Sequence, residues 1–60
     1  MYTVTLETNS IKTERIFEKD YRYAALCEFL DLMEGYINWD TKVHLKVTED
    51  ENIIAEFKIN

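Results

Sequence analysis

His44 and Cys27 are the two side chains here that could serve as general base and nucleophile near neutral pH. An imidazole beside a thiol would make an activated nucleophile. Nothing in the sequence brings the two together. Cys27 falls in a helical segment, at the boundary of its polar half, where it reads as a small hydrophobe. His44 falls on an outward strand position, with Lys42, Lys46 and Lys58 as expected neighbours that disfavour its charged form. It reads as a solvated strand residue. One Cys and one His do not build a zinc site. Asp40 to Glu51 is a twelve-residue window with an acidic residue at each end, as in a calcium loop, but Lys42, His44 and Leu45 stand where oxygen ligands and glycine belong. A single glycine excludes the usual phosphate-cradling loops. The expectation is a non-enzyme with no catalytic residues, no metal ligands and no cofactor.

Binding chemistry is better represented. Glu28, Asp31 and Glu34 recur every third residue on the outer side of a helical segment, about 4.5 Å apart along its axis. No Lys or Arg shares that side in the sequence pattern, so the row reads as uncompensated. Glu49, Asp50 and Glu51 form a second acidic cluster at a hairpin tip. Such carboxylates either solubilise a surface or dock on a basic one. Tyr36 and Trp39 sit where the helix meets the next strand, and Tyr21 and Tyr23 at its start. Tyr and Trp are favoured interface anchors, and in a small domain they also close the ends of a core. The outward residues Lys42, His44, Lys46 and Lys58, near Thr3, Thr5, Ile54 and Glu56, read as a mildly basic sheet surface without the exposed aromatics that nucleic acid would stack on.

The elements that position these residues follow from periodicity. Tyr2, Val4 and Leu6 alternate with Thr3, Thr5 and Glu7, a half-buried strand. Asn9 and Ser10 supply turn chemistry. Lys12 to Lys19 reads as a second strand, in which the adjacent Ile16 and Phe17 point to opposite sides. A three-residue loop, Asn9 to Ile11, sets Val4 opposite Ile16 and is preferred over a two-residue loop that sets Tyr2 opposite Phe17. Asp20 is a good N-cap for a helix from Tyr21 to about Ile37. At 100° per residue, Tyr23, Ala25, Leu26, Phe29, Leu30, Leu32, Met33, Tyr36 and Ile37 share one half of it. The helix ends at Gly35 in a left-handed cap or runs on to Asn38. Two further strands alternate, with Val43, Leu45 and Val47 inward in one and Ile53, Ala55, Phe57 and Ile59 inward in the other. Matching them pairs Val43 with Ile59, Leu45 with Phe57 and Val47 with Ala55, and Lys46 with Glu56 outside. That leaves a loop Asp50-Glu51-Asn52 with Asn52 left-handed.

The fold expected is a single α+β domain over residues 1–60. It is a ββαββ unit with a four-stranded, mainly antiparallel sheet and the helix across one side. The layout resembles the immunoglobulin-binding domain of protein G in length and element order. That resemblance covers the whole chain, rests on no shared motif and implies only a β-grasp-like strand order 2-1-4-3, with the outer two strands of the sequence parallel at the centre. In an alternative layout each hairpin packs separately on the helix. A domain this small buries only about 60% of its unfolded surface, so both hairpins must add apolar faces to the core.

Twelve carboxylates against seven Lys and Arg give a formal net charge of −5. That repels nucleic acid and anionic membranes and favours basic partners. The unpaired Cys27, and a start lacking the basic and apolar regions of a signal peptide, point to the cytoplasm. The functional expectation is a protein-binding module with Glu28, Asp31, Glu34, Tyr36, Trp39, Glu49, Asp50 and Glu51 as partner-binding residues. In its sharper form it is a phage or mobile-element inhibitor that docks on a basic, nucleic-acid-binding surface of a larger protein. The alternative is a structural homodimer or assembly subunit that uses the surplus apolar side of the helix or an edge strand.

Overall fold

A computed structural model describes residues 1–60. Strands β1 (Tyr2–Thr8) and β2 (Lys12–Phe17) form a hairpin. A 3-10 turn (Lys19–Tyr21) leads into helix α1 (Arg22–Tyr36), and β3 (Val43–Glu49) and β4 (Asn52–Ile59) form a second hairpin. The four strands make one antiparallel sheet with α1 across one side, as the alternation and the long helical segment require. Alternate residues of β1 and β3 build the core: Tyr2, Val4, Leu6, Val43, Leu45 and Val47 are buried, together with Ala25 and Phe29 of the helix.

The strand order is β2-β1-β3-β4, not 2-1-4-3. The β-grasp-like order therefore does not hold, and no parallel pair exists. β3 rather than β4 lies beside β1, in register from Tyr2↔Glu49 to Thr8↔Val43. The physical reason lies in the inner rows. Val43, Leu45 and Val47 are fully buried and pair with β1 without interruption, whereas β4 offers the small Ala55 and an irregular register. The stronger apolar row takes the centre, and an all-antiparallel ladder is slightly more stable per residue than one with a parallel pair.

The first hairpin takes the two-residue loop. Tyr2 stands opposite Phe17 and Val4 opposite Arg15, so the preferred pairing of Val4 with Ile16 is wrong. Thr8 fixes the turn. Its Oγ1 accepts from the amides of Ser10 and Ile11, each at 3.2 Å, while its own amide donates to the Ile11 carbonyl at 2.8 Å. In the second hairpin the apolar matching holds: Val43↔Ile59, Leu45↔Phe57, Val47↔Ala55 and Lys46↔Glu56. Beyond Ala55 the register shifts by one, pairing Thr48 with Ile53 and Glu49 with Asn52. This bulge turns Ile54 onto the core and leaves Ile53 53% exposed, the reverse of the expected phase. It also shortens the loop to Asp50-Glu51, and the left-handed residue is Asp50 (φ 56°), not Asn52.

The helix forms where Ala, Leu, Glu and Met are dense and no β-branched residue intervenes before Ile37. Asp20 lies in the 3-10 turn instead of capping α1. The boundary residue is Tyr21, and no side chain caps it. The wide apolar half is split by the sheet. Ala25, Phe29, Leu32 and Tyr36 meet the core, but Tyr23, Leu30 and Ile37, spaced every seventh residue, are 82%, 53% and 53% exposed. A single helix on a narrow sheet leaves that flank uncovered.

Candidate functional site

The carboxylate row on α1 is only partly free. β2 turns Arg15 to the helix side of the sheet, where its guanidinium lies 3.2 Å from Glu28 and 5.2 Å from the centre of the Phe17 ring. Glu28 is therefore half-buried and compensated, which corrects the expectation of a row without cations. The sequence pattern does not show this contact, because the three-residue loop it favours turns Arg15 to the outer side of the sheet. Asp31 and Glu34 remain exposed and make no ion pair.

The hairpin tip is likewise drawn into the fold. The Tyr2 hydroxyl donates to Glu49 at 3.2 Å, and Asp50 receives the Met1 ammonium at 3.5 Å. The Asp50 amide also donates to the Met1 carbonyl at 2.9 Å. Burial pushes the Tyr2 phenol above its usual range, and the charge of Glu49 adds to this. Glu51 stays exposed and unpaired. Tyr36 packs on the core and meets Trp39 in a tilted aromatic contact, ring centres 4.5 Å apart at 57°. Trp39 is 46% exposed beyond it, so of the two Trp39 is the available anchor. Tyr21 and Tyr23 do not close the core, since both are mainly in solvent.

Cross-strand register defines the outer side of the sheet row by row. Ile16, Thr3, Thr48 and Ile53 form one row, and Glu14, Thr5, Lys46 and Glu56 the next. Lys12, Glu7, His44 and Lys58 form the third. Lys12, Lys46 and Lys58 thus balance Glu7, Glu14 and Glu56, so this surface is neutral rather than mildly basic, and Ile53 stands on it in place of Ile54. The chain's whole excess of five carboxylates lies elsewhere. His44 contacts a carboxylate, not only lysines: its Nε2 is 2.6 Å from Oε2 of Glu56. The hydrogen bond from His44 holds the Glu56 carboxyl below its ordinary range, against an opposing effect of burial.

His44 and Cys27 lie on opposite sides of the sheet, so they form no dyad. Cys27 sits instead one helical turn from Tyr23, whose phenol is pushed upward by the neighbouring thiol. No three side chains among His, Cys, Asp and Glu converge as a metal site would require. No helix is long and apolar enough to cross a membrane. Compared with models of protein families, with curated proteins and with solved structures, the chain matches none.

Proposed function

We propose that this chain is a protein-binding module that sets its helix side against a basic surface of a larger protein. There it acts as an inhibitor by covering a site that otherwise holds nucleic acid, in a cytoplasmic setting. The distribution of charge supports this reading. The outer sheet surface is balanced, so the net charge of −5 belongs to the helix side, the loops and the hairpin tip. Asp31, Glu34 and Glu51 supply exposed unpaired carboxylates, and Trp39 supplies an aromatic anchor next to the helix end. Glu28, Glu49 and Asp50 contribute to the field while serving the fold.

Charge complementarity mainly raises the association rate and is screened by salt. The test is affinity capture from lysate with the wild-type chain and with the double variant Asp31→Lys, Glu34→Lys, each at low and high salt. Bound proteins are then challenged with duplex DNA. Support would be a partner held by wild type at low salt, released by DNA and by salt, and lost from the double variant. A partner held equally by both chains would overturn the electrostatic reading. A partner indifferent to DNA would overturn the inhibitory one.

A further inference from the structure

We propose that β4 is a self-association edge, and that two copies pair their β4 strands antiparallel about a two-fold axis at Phe57. The inference stands apart from the docking of the helix side and uses different residues. β4 closes one end of the sheet, so one side of its backbone ladder has no partner in the chain. Its inner row, Ala55, Phe57 and Ile59, is half-buried because α1 lies over β3, β1 and β2 and barely reaches β4. An edge with apolar residues inside and no proline or inward charge is a template for another strand.

The charges choose the occupant. An antiparallel partner strand that keeps inner residues on the inner side allows only registers in which like-facing residues meet. For a second copy centred on Glu56, glutamate meets glutamate. Centred on Lys58, lysine meets lysine. Centred on Phe57, Glu56 meets Lys58 of the other copy twice over, Phe57 meets Phe57, and Ala55 meets Ile59. Opposite charges outside and aromatic or aliphatic contacts inside are the cross-strand pairs that stabilise a sheet. The bulge ends the pairing at Ile54. The assembly closes as an isologous dimer with one continuous eight-stranded sheet and both helices on one side. Because Glu28 marks the helix flank toward β2, the flank carrying Leu30 and Ile37 faces β4 and borders the shared apolar floor.

Sedimentation equilibrium at low salt, from about 1 µM to about 1 mM, tests the idea. Wild type should dimerise within that range. Glu56→Lys alone and Lys58→Glu alone should each weaken self-association by about tenfold or more. An equimolar mixture of these two variants should recover a dimer, because every outer pair across the axis is then of opposite sign. Circular dichroism on each variant separates loss of association from loss of fold. In a Cys27→Ala background, Glu56→Cys mixed with Lys58→Cys should cross-link on oxidation faster than either variant alone. A wild-type chain that stays monomeric throughout would overturn the proposal. So would a dimer indifferent to both charge reversals, or cross-linking without preference for the mixture.

Discussion

The two edges of this sheet are built on opposite principles. β2 carries Arg15 and Thr13 in its inner row, and its one inward hydrophobe, Phe17, lies under the Arg15 guanidinium. An inward charge on an edge strand blocks pairing with another chain, because a partner strand would have to desolvate it. β4 carries Ala55, Phe57 and Ile59 in the same place and keeps its charges outside. Each edge strand is held by its ladder to its neighbour, but β2 is guarded by an inward charge paired to the helix, while β4 presents an apolar inner row and is left open. Two hairpins of similar length thus contribute alike to the core, three buried apolar residues each, and differ at their outer strands: the first ends in a guarded edge and the second in a free one.

The comparison can be tested by substitution. The largest effect is expected at the shared centre. Leu45→Ala in β3 should cost about 2–5 kcal/mol in urea unfolding, because the side chain is fully buried. On the open edge, Phe57→Ala should cost about 1.5–3 kcal/mol, reflecting a half-buried ring. That measurement belongs at a protein concentration low enough to exclude association. On the guarded edge, a double-mutant cycle of Arg15→Ala and Glu28→Ala should give a coupling of about 0.2–1 kcal/mol, since the guanidinium is mostly exposed and screened. If that coupling equals or exceeds the loss at Phe57, the contrast between the edges fails.

The smallest effect is a pH dependence. A carboxyl whose folded pKa lies below its unfolded value adds stability that is present above the unfolded pKa and disappears as pH falls through the folded one. Glu56 is such a group. Below about pH 4.5 the wild-type protein should lose thermal stability more steeply than Glu56→Gln. Parallel acid limbs would show that the His44 contact contributes nothing.

The residues explain what was legible in the sequence. β1, β3 and the register of β3 with β4 follow from alternation, because several large apolar residues in each strand must share one side. The helix follows from its composition. The bulge was hidden because Ile53 and Ile54 are both apolar, so the pattern does not show which turns inward. The phase of β2 was hidden because it is decided by a contact thirteen residues away, between Arg15 and Glu28, and by a turn that Thr8 rather than Asn9 or Ser10 controls. The strand order was hidden because both candidate orders satisfy the same local pattern. They differ in which inner row lies against β1 and in whether that central pair is parallel or antiparallel. For the candidate site, the free carboxylates Asp31, Glu34 and Glu51 were legible as outward charges. The engagement of Glu28, Glu49 and Asp50 was not, since their partners are distant in sequence.

With the outer sheet surface balanced, the carboxylate excess is left to the helix side, the loops and above all the hairpin tip Glu49-Asp50-Glu51, so the molecule is charged unevenly. A body charged on one side turns as it diffuses near an oppositely charged wall. It arrives with the balanced sheet surface turned away, before any contact forms. Orientation during approach, more than the strength of any one bond, is what this arrangement of carboxylates sets.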